Sequence, residues 1–247
     1  MKKILKWFSI GLLLIVLVGS LGFILWAVNP SQPGADALAA LQSDKDVTVR
    51  QTEKYIVFEP VSAVSPTGFI FYPGGHVEYR AYAPILHMIA ARGFLVVLVP
   101  VRLNLAFFDI EAGAPALDDF PQIKTWVAGG HSLGGVASAL FAEKFPQIRG
   151  LIYWASYPAN ANLKNSGIRM LSIYGTRDGG LKDGAMIKQY SAFEPDDTIF
   201  VVIKGGNHGQ FADYGPQPGD NPAEISSQEQ WRQTTDATVS FLKTFNH

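Results

Sequence analysis

The stretch Gly129-Gly130-His131-Ser132-Leu133-Gly134-Gly135 lies between a short apolar run and a helical pattern. It places Ser132 between two glycines, Gly130 and Gly134, each two positions away. A serine in a sharp strand-to-helix turn needs such neighbours, because only glycine lets the flanking backbone approach closely. The stretch therefore predicts a tight, strained turn that presents the Ser132 hydroxyl at the carboxyl end of a buried strand.

Short apolar runs alternate with helical patterns on both sides of this turn. The alternation predicts strand–helix units around a mostly parallel sheet, and the almost unbroken apolar character of the central runs predicts helices on both faces. The predicted strands lie within 47–58 and at 68–72, 94–99, 124–128, 150–155, 169–174 and 198–203. The predicted helices lie at 79–92, 133–145, 184–193 and 227–245. The sequence therefore predicts an α/β domain over residues 47–247.

The composition excludes several classes of protein. A chain of 247 residues that is 48% hydrophobic and 17% charged is long enough for one large folded domain, which excludes disorder as its main state. The formal charge of −1 provides no basic field, so we expect no nucleic-acid partner. The chain has no cysteine, which excludes disulfides, thiolate metal sites and a cysteine nucleophile.

The amino-terminal segment predicts a membrane anchor. Residues 7–28 form an uncharged run of 22 residues, which as a helix is about 33 Å long and matches a hydrocarbon core of about 30 Å. Three lysines precede the run, Lys2, Lys3 and Lys6, and they favour an amino terminus in the cytoplasm. We therefore expect residues 1–28 to cross the lipid bilayer once and the domain to lie outside the cytoplasm.

Two other interpretations of the apolar run stay open. A cleaved signal peptide would make the protein secreted, and Ala35, Ala37 and Ala39 provide spacings suited to cleavage, although such apolar regions usually have only about 7 to 15 residues. A buried helix of a soluble domain is disfavoured by the length of the run. Residues 29–46, rich in Pro, Gly, Ser and Ala, predict a linker with a short helix near residues 35–41.

A serine hydroxyl becomes a useful nucleophile only when an imidazole takes its proton and a carboxylate orients that imidazole. His208 is the leading candidate base, because it follows the last predicted strand on a glycine-flanked loop. Of the other histidines, His87 lies in a predicted helix, His131 lies inside the serine turn and His247 is terminal.

Asp178 is the candidate orienting acid. It follows the predicted strand 169–174, and groups at the carboxyl ends of parallel strands gather at one edge of the sheet. The preceding segment 151–167 contains no Asp or Glu, so the neighbouring strand offers no substitute. Asp183 is the nearest rival, and both residues have the simpler interpretation of a turn-forming carboxylate.

A second glycine turn, Pro73-Gly74-Gly75-His76, follows the predicted strand 68–72. Acyl transfer places negative charge on a carbonyl oxygen, and fixed backbone N–H groups stabilise that charge without reorganising. The candidate donors to this oxyanion are Leu133 together with either Gly75 or His76. The choice between the last two stays open, and we expect the His76 side chain to shape the pocket rather than to transfer protons.

Together these motifs resemble the α/β-hydrolase superfamily, and more narrowly its family-5 branch, which is related in layout to the dienelactone hydrolases. The resemblance extends over residues 44–247 and rests on the chain order of four motifs. They are Tyr72-Pro73-Gly74-Gly75, the Gly-His-Ser-Leu-Gly from Gly130, the Gly-Thr-Arg-Asp that ends at Asp178, and the Gly-Gly-Asn-His-Gly-Gln-Phe around His208, with the segment 213–220 after it.

The resemblance implies that Ser132 is the nucleophile, Asp178 the acid and His208 the base. Dienelactone hydrolases attack with cysteine, which this chain lacks, so their substrate does not transfer to it. The expected activity is that of a membrane-anchored carboxylesterase that cleaves small or short-chain acyl esters without a metal or organic cofactor. A peptidase, a thioesterase, an acyltransferase and a non-catalytic binding module on the same fold stay open as alternatives.

The connections between elements bear on access to the pocket. Residues 155–169 are too few for a separate helical lid, which predicts an open site suited to small substrates. Two longer connections, 102–124 and 210–226, are long enough to cover the pocket. Apolar side chains of the first, including Leu105 and Phe108, predict either an acyl groove or ordinary packing.

Overall fold

A computed structural model describes residues 2–246 of the protein, with side chains from Lys6 to Asn246. The strands are β1 (Val47–Gln51), β2 (Ile56–Pro60), β3 (Thr67–Tyr72), β4 (Leu95–Leu98), β5 (Thr125–His131), β6 (Ile148–Trp154), β7 (Arg169–Gly175) and β8 (Ile199–Ile203). The α-helices are α1 (Lys2–Ala27), α2 (Ala35–Ala39), α3 (Ala83–Ala90), α4 (Ala114–Asp119), α5 (Leu133–Lys144), α6 (Ala185–Tyr190) and α7 (Ser227–Lys243). Short 3₁₀ turns occur at Tyr79–Tyr82, Arg102–Asn104, Ala106–Phe108, Ile110–Gly113, Ser191–Phe193 and Gly209–Phe211.

The eight strands form one sheet in the order β1-β2-β4-β3-β5-β6-β7-β8. Strand β2 runs antiparallel to both β1 and β4, and every later pair is parallel. The mostly parallel sheet predicted from the sequence is thereby confirmed. The strand order reverses at β3, between β4 and β5, and the crevice at the carboxyl ends of such strands is where open α/β sheets bind ligands.

Each face of the sheet carries its own hydrophobic core. Along β3, Phe69 and Phe71 pack into one core with α3 and α7, whereas Ile70 and Tyr72 pack into the other with α4 and α5. All six residues of β3 are buried, as expected for a strand covered on both faces.

Local sequence explains two of the helix boundaries. The predicted helix 79–92 divides into a 3₁₀ turn and α3, and Pro84 lies in the first turn of α3, where the missing N–H of proline breaks no helical hydrogen bond. Helix α7 begins after Ser226, whose side chain accepts a hydrogen bond from the N–H of Glu229 and caps the helix. The apolar and threonine side chains on one face of α7 are buried, which fixes this helix against the sheet.

Helix α1 is long and apolar enough to cross a membrane. Its segment Lys6–Ala27 has a mean hydropathy of 2.6, and none of the residues in its most apolar stretch is buried. It is the one such helix in the described part of the chain. This composition fits either a retained anchor or a signal sequence. The side chains of Lys2 and Lys3, which predict the orientation, lie outside those described.

The chain after α1 packs against the domain. Ser31 forms a parallel β-bridge with Val77. The N–H of Ser31 donates to the His76 carbonyl, and the Ser31 carbonyl accepts a hydrogen bond from the N–H of Glu78. Farther along, the N–H of Ala37 donates to a carboxylate oxygen of Asp213 at 2.9 Å. The division into residues 1–28, 29–46 and 47–247 stays a prediction, and the structure adds that much of the middle segment lies on the surface of the domain.

Glu194 is a buried carboxyl group in the connection between α6 and β8. It is 1% exposed, and neither of its carboxyl oxygens has a hydrogen-bond partner among the described residues. Burial raises the pKa of Glu194 from 4.5 to about 7. Between these two pH values the unfolded chain loses this proton before the folded chain does, so stability falls as the pH rises through that window.

We expect the substitution Glu194→Gln to stabilise the protein at pH 8, by about 3 kcal/mol at most, since one pKa unit corresponds to about 1.4 kcal/mol. The gain should shrink steadily as the pH is lowered towards 4.5. Denaturant unfolding of the full chain in detergent at pH 5 and pH 8 measures it. The exposed Glu53→Gln is the matched control, and an equal pH dependence in the wild type and Glu194→Gln would contradict the prediction.

Candidate active site

Ser132 is the one residue between the end of β5 and the start of α5. Its backbone angles, φ 51° and ψ −119°, lie in a strained region for a residue with a side chain. Two contacts hold the residue in this conformation. Its N–H donates to the Trp154 carbonyl at 2.9 Å, and its own carbonyl accepts a hydrogen bond from the Ser156 hydroxyl at 2.7 Å.

The two glycines of the serine turn are required by close backbone contacts. A Cβ atom on Gly130 would overlap the backbone of Gly134, and a Cβ atom on Gly134 would overlap the carbonyl groups of Tyr72 and Pro73. The turn therefore packs directly against the end of β3. The contact with β3 explains the glycine at position 134, and the contact within the turn explains the glycine at position 130.

Asp178 and His208 form a buried pair. Nδ1 of His208 lies 3.0 Å from Oδ1 and 2.9 Å from Oδ2 of Asp178, and the residues are 5% and 0% exposed. The carboxylate also accepts a hydrogen bond from the N–H of Leu181 at 2.8 Å. Because a carboxylate faces Nδ1, the proton of the neutral imidazole lies on that nitrogen, which leaves Nε2 as the hydrogen-bond acceptor.

The predicted site residues meet at the carboxyl ends of the strands. Ser132 follows β5, Asp178 follows β7 and His208 follows β8. Ser132 and His208 line the same cavity of about 210 Å³. Its other lining residues are Ser31, Gly74, Gly75, His76, Val77, His131, Gln217 and Pro218. The structure thus brings the three side chains to one edge of the sheet, and their chemical roles stay predictions.

The candidate oxyanion donors differ in what their N–H groups contact. Leu133 occupies the first position of α5, where an N–H has no partner within the helix. The N–H of His76 donates to the Asn104 carbonyl at 2.8 Å, whereas no described residue accepts a hydrogen bond from the N–H of Gly75. Of the two alternatives, Gly75 is therefore the one whose N–H is available to a substrate.

The imidazole of His76 contacts the end of α1 rather than the serine. It stacks on Trp26, with ring centroids 4.1 Å apart and an angle of 5° between the planes. Its Nε2 lies 2.8 Å from the Trp26 carbonyl oxygen, so this nitrogen donates there. These contacts agree with a side chain that shapes the pocket, and they bring the end of α1 to its rim.

His131 is a buried neutral neighbour of His208. The N–H of Gly74 donates to the Tyr82 hydroxyl at 2.9 Å, and that hydroxyl in turn donates to Nδ1 of His131 at 2.8 Å. Burial, and then the His208 ring 4.5 Å away, hold the pKa of His131 well below its usual range. His131 therefore adds no positive charge beside His208. The Tyr82 hydroxyl connects the turn at Gly74 to the serine turn through its two hydrogen bonds.

Asp220 is a site residue that sequence reasoning did not single out. One carboxylate oxygen accepts a hydrogen bond from the N–H of Gly179 at 2.9 Å, and the other accepts one from the N–H of Gly209 at 2.8 Å. These glycines directly follow Asp178 and His208, so Asp220 joins the turn after Asp178 to the turn after His208. The resemblance to known hydrolases already extended over the segment 213–220, but a bridge of this kind has no local sequence signal.

The remaining candidates have structural partners. His87 lies 2.8 Å from the Ala40 carbonyl through Nδ1 and 3.1 Å from Asp44 through Nε2. Asp183 accepts a hydrogen bond from the Asn221 side chain at 3.0 Å, and His247 lies outside the described residues. Over residues 2–246, His, Asp and Glu form no group of three that could hold a metal ion.

Comparison with known proteins identifies the family. The sequence model described as the alpha/beta hydrolase family matches residues 68–232, which include Ser132, Asp178 and His208. The chain belongs to the alpha/beta hydrolase family. This hydrolase also resembles the crystal structure of a predicted CIB-like hydrolase from Thermoplasma acidophilum, with a TM-score of 0.52 and 14% identity. The similarity covers 78% of this chain and 97% of the other, and it concerns the fold alone. No curated protein sequence matches the chain.

The bridging carboxylate leads to a prediction about Asp220→Asn. An amide cannot accept both N–H bonds, so the turns of the acid and the base should separate slightly, and a misplacement of about 1 Å costs on the order of 100-fold in rate. We expect kcat on p-nitrophenyl acetate to fall about 10- to 100-fold with KM nearly unchanged.

The control for this prediction is Asp196→Asn, since the Asp196 side chain is 94% exposed and forms a surface ion pair. A purely structural role of Asp220 would reduce the fraction of active molecules, counted by titration of the reactive serine, without changing the kcat of each active molecule. An unchanged kcat per active molecule in Asp220→Asn would contradict a positioning role.

Proposed function

We propose that the protein is a serine hydrolase that cleaves small or short-chain acyl esters. The observation that carries the proposal is the buried Asp178–His208 pair, whose imidazole lines the same cavity as Ser132. A carboxylate on Nδ1 leaves Nε2 free to accept the proton of a serine hydroxyl. The strained backbone of Ser132 further supports a catalytic role, since such strain persists where function requires the geometry.

In the acylation half of the reaction, His208 takes the proton of the Ser132 hydroxyl as the serine oxygen bonds to the ester carbonyl carbon. The carbonyl oxygen becomes an oxyanion that the N–H groups of Leu133 and Gly75 stabilise. When this tetrahedral intermediate collapses, the bond to the alcohol oxygen breaks and that oxygen receives the proton from His208. The products of this half are the free alcohol and an acyl group on Ser132.

In the deacylation half, water replaces the alcohol. His208 removes a proton from the water as its oxygen attacks the acyl carbon, and the same N–H groups stabilise the second oxyanion. The bond to the Ser132 oxygen then breaks, and that oxygen recovers its proton from His208. The net reaction consumes one water and releases one carboxylic acid, so the residues at the site suffice without a further reactant.

The size of the cavity supports a small acyl group. Its volume of about 210 Å³ is below the range of about 300 to 1,000 Å³ that is typical of pockets for drug-sized ligands. No α-helix lies between β6 and β7, as expected from a connection too short to hold a separate helical lid. The side chains of Leu133 and Leu105 lie next to Gly75, which lines the cavity.

Other reactions use the same arrangement of groups. A peptidase, a thioesterase and an acyltransferase differ in the leaving group or in the molecule that attacks the acyl-enzyme, and a binding module would keep the fold without turnover. Turnover of matched acetyl esters, thioesters and amides distinguishes the enzymes. Transfer of the acyl group to an added alcohol identifies an acyltransferase.

We expect a fluorophosphonate probe to label the full-length protein on Ser132, because the probe reacts with serines whose proton a neighbouring base removes. The Ser132→Ala variant should show no labelling, whereas Ser138→Ala, at a buried helical serine behind the turn, should label as the wild type does. Labelling is measured by in-gel fluorescence and mapped by peptide mass spectrometry. A wild type that stays unlabelled, or equal labelling of Ser132→Ala, would overturn the proposal that the protein is a serine hydrolase.

We further propose that α1 is retained as a membrane anchor, with the domain outside the cytoplasm. The two alanine spacings suited to signal cleavage lie on α2, where Ala37 is fully buried and its N–H donates to Asp213. Cleavage after this alanine would therefore remove a segment that packs against the folded domain. A retained helix, in contrast, keeps every contact of residues 26–37.

Cell fractionation and protease treatment test the proposed anchor and its orientation. The protein should sediment with membranes after alkaline carbonate washing, and its mass should include residues 7–28. Added proteinase K should digest the domain of intact cells, since three lysines favour a cytoplasmic amino terminus. Digestion only in broken cells would contradict the orientation, and a soluble protein that begins after residue 37 would contradict the anchor.

A further inference from the structure

The carboxyl-terminal end of α1 contacts the loops around the cavity. Ala27 is fully buried, and its carbonyl oxygen accepts a hydrogen bond from the Asn104 side chain at 2.9 Å. One turn earlier, Phe23 meets Phe108 edge to face, with ring centroids 6.3 Å apart. Together with the stacking of Trp26 on His76, these contacts fix the helix end to the two loops that flank the serine.

Chain length sets the distance between the cavity and the bilayer. Ser31 lines the cavity, and Val28 ends the uncharged run, so the cavity begins only three positions after the end of the run. Three extended residues span at most about 10 Å. The headgroup layer on each side of a hydrocarbon core is roughly 5 to 8 Å thick, from the difference between total and core thickness. A bilayer that holds α1 therefore places the cavity at or just above its headgroups.

Two exposed phenylalanines lie on the same side of the molecule. Phe107 and Phe108 are 45% and 48% exposed and belong to the 3₁₀ turn beside α1. Arg102 holds this turn, because its guanidinium donates to the Phe108 carbonyl and pairs with Asp109 at 3.1 Å. Apolar rings next to a membrane-spanning helix gain stability when they enter the interfacial layer.

We propose that the substrate is an ester of a membrane lipid, which enters the cavity from the headgroup layer of the bilayer that holds α1. This inference rests on the proposed function and on the retained anchor. The small cavity accepts the short acyl group, while the lipid part of the alcohol stays in the membrane beside Phe107 and Phe108. Water supplies the hydroxyl of the released acid and the proton of the released lipid alcohol.

The activity test uses the full chain in phosphatidylcholine vesicles that contain 1,2-dioleoyl-3-acetylglycerol. We expect acetate release from this lipid. We expect Phe108→Ser to lower the ratio of lipid to p-nitrophenyl acetate turnover about tenfold, since serine loses the apolar contact of the phenylalanine ring with the interfacial layer. The control is Phe200→Ser on the edge strand β8, where Phe200 is 42% exposed. This variant should keep the wild-type ratio.

A second measurement reports how deep position 108 lies in the bilayer, and it does not depend on enzyme activity. The chain has no cysteine, so Phe108→Cys and Phe200→Cys each accept a single NBD fluorophore. In vesicles with nitroxide-labelled lipids, the fluorophore at position 108 should be quenched from the headgroup depth, and the one at position 200 should keep its fluorescence. Equal quenching at both positions, or none at 108, would overturn the inference.

Fluorophosphonate labelling of the same vesicles separates the possible failures. If Ser132 is labelled and p-nitrophenyl acetate is cleaved while the acetylated lipid is not, the proposal of a lipid substrate is overturned and the proposal of a serine hydrolase is supported. If Ser132 is not labelled, both proposals fail. Equal ratios of lipid to soluble turnover in the wild type, Phe108→Ser and Phe200→Ser also overturn entry from the membrane.

Discussion

The site depends on the single-residue turn between β5 and α5. Ser132 is held at positive φ because its N–H bonds to β6 and its carbonyl to Ser156, and because glycines at positions 130 and 134 let the turn meet the end of β3. A central parallel sheet supplies the rigid frame for this strain. The same turn places the first N–H of α5 beside the serine, so the candidate nucleophile and one candidate oxyanion donor arise from one backbone geometry.

Two carboxylates and one neutral histidine surround the imidazole of His208. Asp178 is buried against Nδ1 of His208, and Asp220 binds the backbone directly after both residues. His131, although adjacent, stays neutral because burial lowers its pKa. The imidazole thus has negative charge on one side and no competing positive charge on the other, an arrangement that favours the transient imidazolium of acyl transfer. Its Nε2 is left for the cavity.

Much of the fold was predictable, because unbroken apolar runs mark strands covered on both faces and glycine turns mark their ends. These signals are local, and they located Ser132, Asp178 and His208. The choice between Gly75 and His76 was not predictable, since it depends on a hydrogen bond from His76 to Asn104, a residue of a distant loop. Asp220 and the stacking of His76 on Trp26 were missed for the same reason: both join segments that meet only in the folded chain.

The most direct test of the account is a crystal structure of the full chain after reaction with an acetyl-like phosphonate ester, which resembles the tetrahedral intermediate. We expect phosphorus to be bonded to the Ser132 oxygen, with a phosphoryl oxygen within about 3.1 Å of the N–H groups of Leu133 and Gly75. We also expect Nε2 of His208 to lie within about 3.2 Å of an oxygen on phosphorus. Phosphorus bonded to another residue, or a phosphoryl oxygen that points away from both N–H groups, would contradict the account.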